Sequence, residues 1–272
     1  MNLEFLHCKG AGVHSGRRAR PRGTVLFVHG AYCGAWIWAE TFLPYFCSRG
    51  WDAHAVSLRG HGASEGALNW AALTDYVDDV EAAVARVGGP LVLVGHSMGG
   101  LVAQHYLARP GRAGNVRALV LLSTVPPSGL TSSVMHMSLI APDLLWQLGL
   151  LQTLGPDSVS PHVIKRAFLS ADSTLESVQK MLPKLQQESN RLTGEIMAPA
   201  QPAPPPAAER PPILVLGGDS DAFLPVAAFR ETAIFWDAEL AILQGAPHGI
   251  MVDSEWWQPA ADTILEWLEE RA

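Results

Sequence analysis

The sequence predicts an α/β fold, namely a doubly wound, mostly parallel sheet into which a helical cap is inserted. Three features of the chain indicate this fold. Short apolar and β-branched runs recur along the chain, as strands buried on both faces do. Helical periodicities lie between these runs, and strands that alternate with helices build doubly wound sheets. One long segment, residues 126–210, shows helical amphipathicity and no convincing strand.

The predicted strands are short and almost entirely apolar. They span residues 24–28, 91–94, 118–122, 213–216 and 240–243. The clearest predicted helix spans residues 73–87, where apolar side chains recur every three or four positions from Leu73 to Val87. Further helices are predicted at residues 98–108 and 259–268.

A length of 272 residues suits one large α/β domain that carries an insertion. We expect the core to comprise residues 1–125 and 211–272, and the helical cap with its return linker to comprise residues 126–210. The return path, residues 199–212, contains seven prolines in fourteen positions, which favours an extended polyproline II linker. The alternative is a proline-rich ligand for another protein.

The charge balance argues against a nucleic-acid partner. The formal net charge is −7 and the pI is about 5.8, so the chain offers little basic surface to a phosphate backbone. Basic residues cluster in one stretch flanked by glycine and proline, which we interpret as a solvated loop. They are Arg17, Arg18, Arg20 and Arg22.

The sequence also predicts a cytoplasmic location. Its cysteines, Cys8, Cys33 and Cys47, are odd in number and lack framework spacing, which favours a reducing compartment over a disulfide-rich secreted scaffold. The N-terminus lacks a charged region followed by an apolar one, so we expect no secretion signal. The richest apolar stretch, residues 134–151, is interrupted by polar residues, so we expect no transmembrane helix.

The motif GHSMGG at residues 95–100 lies between a predicted strand and a predicted helix. A G-x-S-x-G pattern in that context is typical of a nucleophile elbow, a strained turn that projects a serine hydroxyl into an active site. Glycines at the flanking positions relieve crowding that side chains would create. Ser97 is therefore the candidate nucleophile.

A serine nucleophile needs a base, and the base needs an acid that orients it. In the expected chain order, both follow the serine at the ends of later strands. Asp219 and Asp221 lie in the turn after strand 213–216, and either carboxylate is a candidate acid. His248 follows strand 240–243 and is the candidate base. The alternatives are a turn carboxylate that caps its own backbone and a surface-loop histidine.

An oxyanion hole requires backbone N–H groups aimed at the carbonyl oxygen of the substrate. The N–H of Met98, next to the serine, is predicted to supply one donor. The N–H of Ala31, in the loop after strand 24–28, is predicted to supply the other. We interpret His29 in the same loop as a brace rather than as an acid or base.

Five ordered motifs resemble those of the α/β-hydrolase superfamily over nearly the whole chain, especially its capped esterase, lysophospholipase-like and plant methylesterase-like members. They are HGA at residues 29–31, RGHGAS at 59–64, GHSMGG at 95–100, G-x-x-D-x-x-x-P at 218–225 and PHG at 247–249. The resemblance implies that Asp221 is the triad acid and that Asp219 is a turn residue. It also implies that His61 shapes a loop and takes no part in catalysis.

The resemblance separates this chain from sister activities. Dehalogenases and epoxide hydrolases of this fold use an aspartate as nucleophile, where this chain has Ser97. The hydroxynitrile lyases that the chain partly resembles carry a lysine just after the catalytic histidine, where this chain has Gly249 and Ile250. Both departures argue against those activities.

The sequence therefore predicts a serine hydrolase of the carboxylesterase type, which cleaves a small-molecule ester through an acyl-enzyme. A thioesterase, a C–C bond hydrolase or an acyltransferase would use the same triad. A non-catalytic small-ligand receptor on the same fold is the alternative from another class. No metal-ligand spacing and no dinucleotide fingerprint occur, so no metal and no cofactor are expected. The oligomeric state is left open.

We call the loop that follows strand 24–28 and contains Ala31 the oxyanion loop. Apolar residues in the cap and after this loop predict an apolar pocket for a small to medium substrate. The candidate lining residues are Tyr32, Trp36, Met135, Leu139 and Trp146. The alternative for each of them is packing of the cap against the core.

Overall fold

Seven strands form one sheet in the part of the chain that the computed structural model describes, residues 1–10 and 21–271. They are β1 (Phe5–Cys8), β2 (Gly23–Val28), β3 (Trp51–Val56), β4 (Leu91–His96), β5 (Val116–Leu122), β6 (Ile213–Gly218) and β7 (Glu239–Leu243). Their order across the sheet is β1-β3-β2-β4-β5-β6-β7. Strand β1 is antiparallel to β3, and every other neighbouring pair is parallel. The predicted mostly parallel sheet is confirmed.

Helices cover both faces of this sheet. They are α1 (Phe42–Ser48), α2 (Leu73–Val87), α3 (Met98–Leu107), α4 (Thr131–Ile140), α5 (Pro142–Leu154), α6 (Pro161–Phe168), α7 (Leu175–Met181), α8 (Asn190–Glu195), α9 (Val226–Trp236) and α10 (Trp257–Arg271). Helices α1 and α10 pack on one face, and α2, α3 and α9 pack on the other. The chain is therefore doubly wound, as predicted.

Strand β2 shows why the central strands are apolar throughout. Val25 and Phe27 belong to the apolar cluster on one face of the sheet, whereas Leu26 and Val28 belong to the cluster on the other face. Successive side chains of a strand point to opposite faces, so a strand covered on both sides needs apolar residues at every position. Full burial of each such side chain contributes about 1.5–3 kcal/mol relative to exposure.

The carboxyl ends of β4, β6 and β7 lie at the same edge of the sheet, because these strands run parallel to one another through β5. Ser97 directly follows β4, Asp221 lies three residues after β6, and His248 lies five residues after β7. The topology therefore brings residues that are far apart in the sequence to the edge where open α/β sheets bind ligands.

The structure contains all of the predicted strands and helices of the core, with small changes at their ends. Helix α2 has the predicted bounds, and the Asp75 carboxylate accepts a hydrogen bond of 2.8 Å from the Ala72 N–H at its beginning. Strands β1 and β3 and helices α1 and α9 were not predicted. Strand β3 contains Asp52 and His54, and β1, at the edge of the sheet, contains His7. Neither strand therefore has the continuous apolar sequence that identified the other strands.

Between β5 and β6, residues 123–212 contain helices α4 to α8 and no described strand. We call residues 126–210 the insertion. Its proline-rich return path contains one short 3-10 turn, Ala207–Glu209, flanked by Pro206 and Arg210 with φ of −50° and −74° and ψ of 143° and 131°. These angles lie near the polyproline II region, in line with the predicted extended linker. No helix within residues 1–10 or 21–271 combines the length and apolarity needed to cross a bilayer.

Cys8 and Cys47 form a disulfide that joins β1 to α1, with 5.8 Å between their Cα atoms. Cys33 is a free, buried cysteine. The pairing was not predicted from the odd number of cysteines. Because disulfides persist mainly in oxidising compartments, it weighs against the predicted reducing, cytoplasmic location. Of the predicted arginine loop, Arg17, Arg18 and Arg20 lie outside the described residues, and Arg22 is exposed.

Candidate active site

Ser97 occupies a strained turn between β4 and α3. Its φ is +52° and its ψ is −117°, a conformation that residues with a side chain rarely adopt. The surrounding sheet holds it there, because the Ser97 N–H donates to the carbonyl of Leu122 at 3.0 Å and the Val125 N–H donates to the Ser97 carbonyl at 3.1 Å. Strain maintained by the surroundings in this way is common at functional sites.

The two glycines that flank Ser97 are required by close backbone contacts. A Cβ on Gly95 would lie 2.5 Å from the carbonyl oxygen of Gly99, and a Cβ on Gly99 would lie 2.3 Å from the carbonyl oxygen of His29. Neither approach is possible without moving backbone. The glycine positions of the motif therefore have the steric reason that the sequence analysis assigned to them.

His248 and Asp221 form a hydrogen-bonded pair. The distance from His248 Nδ1 to Asp221 Oδ2 is 2.7 Å, and both side chains are almost completely buried. The other carboxylate oxygen of Asp221 accepts from the N–H groups of Phe223 and Leu224, at 2.8 and 2.9 Å. Since a carboxylate only accepts, the hydrogen bond to Asp221 places a proton on Nδ1 of His248.

Asp219, the other candidate acid, points elsewhere. It is exposed, and its carboxylate accepts a hydrogen bond of 2.6 Å from the N–H of Gly245. This contact joins the loop after β6 to the loop after β7. Of the two carboxylates in this turn, the structure pairs only Asp221 with His248.

Ser97 and His248 line the same cavity. Within the described residues, neither the Ser97 hydroxyl nor Nε2 of His248 makes a hydrogen bond to the protein. Contacts of this kind are often open in unliganded sites and close when substrate binds. The loop of His248 is joined to the serine turn through His96, whose Nε2 lies 3.1 Å from the carbonyl oxygen of His248.

Ala31 and Met98 also line this cavity. Their backbone N–H groups have no hydrogen-bond acceptor in the part of the chain that the structure describes. Met98 is the first residue of α3, where a helix presents unpaired N–H groups and the positive end of its dipole. Both N–H groups are thus available to a negatively charged oxygen in the cavity.

His29 braces the loop of Ala31. The Leu58 N–H donates to its Nε2 at 3.0 Å, so Nδ1 carries the proton and donates to the Gly30 carbonyl at 2.8 Å. Burial, together with the nearby charge of His61, lowers the pKa of His29 to about 3. A neutral ring with both nitrogens in use supports the interpretation of His29 as a brace.

The cavity has a volume of about 290 Å³ and mostly apolar walls. The insertion contributes a large share of its lining, namely Leu130, Val134, Met137, Leu145, Leu148, Gly149, Gln152, Phe168, Glu188, Thr193, Ile196 and Met197. The remaining lining residues come from the core. A site at the carboxyl edge of the sheet is therefore closed by helices of the insertion.

Of the five predicted lining residues, only Tyr32 lines this cavity. Met135, Leu139 and Trp146 are 66%, 79% and 69% exposed, and Trp36 lies against a separate surface pocket. These four predictions are wrong. Helices α4 and α5 carry apolar residues on all sides, so their sequence does not reveal which side faces the core.

The cavity side of α4 is defined by Val134 and Met137, three residues apart, and that of α5 by Leu145, Leu148 and Gln152. This spacing is that of one helix face. Met135, Leu139 and Trp146 lie on the opposite faces, which explains their exposure.

Phe168 is a functional neighbour that the sequence analysis missed. It packs edge-on against His248 with 5.9 Å between ring centroids, and its carbonyl accepts from the Gly249 N–H at 2.8 Å. Phe223 also packs against the His248 ring, with 4.6 Å between the ring centroids. Phe168 ends helix α6 of the insertion, and no motif in that segment indicated a contact with the core.

His61 does not line the cavity, in keeping with its expected role in shaping a loop. It is buried, and its Nε2 lies 3.0 Å from Oε2 of Glu188 in the insertion. Across residues 1–10 and 21–271, no group of three or more His, Cys, Asp or Glu side chains is arranged to hold a metal ion.

The fold and the site define a hydrolase of the α/β class. Residues 25–262 match the model of the alpha/beta hydrolase family, and the chain belongs to that family. The match covers both halves of the sheet, the insertion, and all of Ser97, Asp221 and His248.

Among curated proteins, the chain is similar to a monoacylglycerol lipase of Mycolicibacterium smegmatis, with 28% identity over 264 residues, which is 91% of this chain and 88% of that protein. It is also 36% identical to a non-heme haloperoxidase of Rhodococcus erythropolis over 104 residues, 38% of this chain but only 37% of that protein. Among solved structures, a monoacylglycerol lipase of Paleococcus ferrophilus has a TM-score of 0.69 and 19% identity, with 100% of both chains covered. This last likeness supports the fold.

Proposed function

We propose that this protein is a serine hydrolase that cleaves carboxylic esters through an acyl-enzyme intermediate. The observation that carries the proposal is the 2.7 Å pair of His248 and Asp221 beside a cavity that also contains Ser97 on a strained elbow. A histidine oriented by a buried carboxylate, with its other nitrogen free, is the arrangement that activates a serine.

In the proposed first half-reaction, the Ser97 hydroxyl oxygen attacks the ester carbonyl carbon while Nε2 of His248 takes the hydroxyl proton. Asp221 keeps the imidazole in the Nδ1–H tautomer and stabilises the cation that forms. The N–H groups of Ala31 and Met98 donate to the oxyanion of the tetrahedral intermediate. His248 then gives its proton to the departing alkoxide oxygen, and the acyl group remains on Ser97.

In the second half-reaction, His248 takes a proton from a water molecule, whose oxygen attacks the acyl carbon. The second tetrahedral intermediate uses the same oxyanion donors. It collapses when Ser97 leaves with the proton from His248, which releases the carboxylic acid and restores the site. Every proton moves between the substrate, water and named side chains, so the scheme requires no cofactor.

The cavity supports an apolar, small to medium acyl group as the proposed substrate class. Its volume of about 290 Å³ is just below the usual range of ligand pockets, which is about 300–1,000 Å³. Its walls at α4 and α5 are mostly apolar. One of the similar proteins is named as a monoacylglycerol lipase. We propose that the substrate of this protein is likewise an ester with an apolar acyl chain. In this scheme residues 126–210 serve as the cap.

The proposal is tested with p-nitrophenyl esters of increasing acyl length and with a fluorophosphonate probe that labels activated serines. We expect wild-type protein to hydrolyse the shorter esters and to be labelled, and Ser97→Ala to do neither. Retention of the wild-type rate in Ser97→Ala would assign the nucleophile elsewhere. A wild type that binds apolar ligands but turns over no ester would instead favour the receptor alternative.

A further inference from the structure

Glu188 is a buried carboxylate that the proposed mechanism does not use. It lies in the insertion just before α8, and only 1% of its surface is exposed. It borders the same cavity as Ser97. Removing a charged carboxylate from water is costly unless its oxygens are paired, so its partners indicate what it holds in place.

Four donors occupy the two oxygens of Glu188. Oε1 accepts from the Tyr76 hydroxyl and from the Ser189 N–H, each at 2.7 Å. Oε2 accepts from His61 Nε2 at 3.0 Å and from the Tyr32 N–H at 3.4 Å. A carboxylate has about four acceptor sites, so these four donors occupy all of them and leave no acceptor site for a ligand. Glu188 therefore acts on its protein neighbours.

The contact with His61 is an ion pair. Nδ1 of His61 lies 3.1 Å from the carbonyl oxygen of Arg59, and Nε2 lies 3.0 Å from Glu188. A carbonyl oxygen and a carboxylate both accept, so both ring nitrogens carry protons and the ring is cationic. Burial opposes charge on either group, but their mutual attraction outweighs it and places the pKa of His61 above, and that of Glu188 below, its ordinary value.

The remaining contact of Glu188 reaches the oxyanion loop. Tyr32 follows Ala31 and has a φ of +66°, a strained value for a residue with a side chain. Its N–H donates to Glu188, and its carbonyl accepts from the Gln186 N–H at 3.0 Å. Backbone strain of this kind persists only where the surroundings hold it. Here the surroundings are two residues of the insertion, so the insertion fixes the backbone next to a proposed oxyanion donor.

We propose that Glu188 is a positioning residue that holds Tyr32 in its strained conformation and so aims the Ala31 N–H at the oxyanion. The inference rests on the proposed function, because it assumes that an oxyanion forms beside Ser97. It assigns to the insertion a part in completing the catalytic site as well as in lining the cavity. The cationic His61 and the Tyr76 hydroxyl, both from the core, keep the Glu188 carboxylate in place.

The test compares Glu188→Gln with Glu195→Gln. Glu195 is a matched control, because it also lies in the insertion and also binds the core, through the Leu73 N–H at 2.7 Å, but it does not contact the oxyanion loop. For p-nitrophenyl butyrate we expect Glu188→Gln to lower kcat about 10- to 100-fold with KM within about threefold, as small misplacements of catalytic groups do. A trifluoromethyl ketone, whose adduct with serine carries an oxyanion, should bind more weakly by a similar factor. Glu195→Gln should match wild type in both measurements.

An unchanged kcat in Glu188→Gln, a loss confined to KM, or an equal loss in Glu195→Gln would each overturn the inference. Hydrogen exchange of the peptide that contains Tyr32 separates this failure from failure of the proposed function. If the wild type hydrolyses no ester, the proposed function fails, whereas faster exchange at Tyr32 in Glu188→Gln than in Glu195→Gln would still show that Glu188 holds the loop. Equal exchange in the two variants would refute that as well.

Discussion

Two buried histidine–carboxylate pairs in this protein differ in what the second ring nitrogen does. His248 is paired with Asp221 through Nδ1, and its Nε2 makes no hydrogen bond within the described chain, beside a cavity. His61 is paired with Glu188 through Nε2, and its Nδ1 is bound to a backbone carbonyl. The two carboxylate distances, 2.7 and 3.0 Å, are similar, so the pair alone does not distinguish the sites.

The difference lies in the capacity to accept a proton. Nε2 of His248 has no hydrogen-bond partner in the described chain and lies beside the cavity, so it is free to exchange a proton with Ser97 in the proposed mechanism. His61 is held between two acceptors and is protonated at both nitrogens, so it has no lone pair to offer. A histidine and a carboxylate in contact therefore indicate catalysis only when one nitrogen stays free and reaches a nucleophile. The predictions below test this distinction.

Replacing each histidine should give the largest contrast. In His248→Asn we expect kcat for p-nitrophenyl butyrate to fall by about 10⁶-fold, as when the base of a comparable triad is removed, with little change in stability. His61→Asn leaves Glu188 buried without its cation, which typically costs about 3–5 kcal/mol of unfolding free energy. It should keep kcat within about 100-fold of wild type.

Steady-state kinetics and urea unfolding of both variants measure this contrast. A folded His61→Asn protein without turnover, together with an active His248→Asn protein, would reverse the assignment of the two histidines.

Neutralising each carboxylate should give the next largest contrast. Asp221→Asn preserves shape but favours the wrong tautomer of His248, and in a comparable triad such a change lowers kcat by about 10⁴-fold. Glu188→Gln acts only through the oxyanion loop, so its loss should be about 10- to 100-fold. The measurement is kcat at saturating ester for both variants, purified in parallel, with circular dichroism as the check on folding. Equal losses of kcat would mean that the two histidine–carboxylate pairs contribute equally to catalysis.

The two pairs also differ in how far the sequence predicts them. Asp221 and His248 follow strands of the core, so strand order predicts that the turn with Asp219 and Asp221 lies near His248. The resemblance to the α/β-hydrolase superfamily then selects Asp221. Glu188 belongs to the insertion, where no motif or strand defines the register, and its partners Tyr76 and His61 lie more than a hundred residues away. The contact depends on how the insertion docks, which is a matter of tertiary packing.

The same reason explains the wrong lining residues. The core strands are apolar because both faces are covered, so their burial follows from the sequence. Helices α4 and α5 carry apolar residues on every side, and only docking decides that Met137 and Leu148 face the cavity while Met135 and Trp146 face outward. The apolar residues on the outer faces obscure the polar pattern that would have marked those faces as surface.

The stability contributed by the His61–Glu188 pair should depend on pH with two limits. The pKa of Glu188 is lowered in the folded state, so its contribution is complete above the unfolded value of about 4.5 and is lost as pH falls through the folded value. The pKa of His61 is raised, so its contribution is complete below the unfolded value of about 6.5 and is lost as pH rises through the folded value.

The difference in Tm between wild type and Glu188→Gln should therefore be largest between about pH 4.5 and 6.5 and smaller on either side. For a chain of this size, about 1 kcal/mol corresponds to roughly 2–4 °C. Thermal unfolding in a pH series measures this difference, with Glu195→Gln as the control. A difference that does not vary with pH would show that the pair is not ionised.

The smallest effect is expected at Asp219, which shares its turn with Asp221. Asp219→Asn keeps an oxygen that can accept from the Gly245 N–H, and the exposed side chain does not touch His248. We expect kcat and KM to change less than about twofold, because Asp219 does not line the cavity. The free energy of unfolding should change by no more than about 0.5 kcal/mol, as is usual for surface substitutions. Kinetics with the same ester panel check it. A loss at Asp219 larger than that at Asp221 would mean that His248 takes its orientation from the exposed carboxylate, and the contact with Asp221 would then be structural like that of His61 with Glu188.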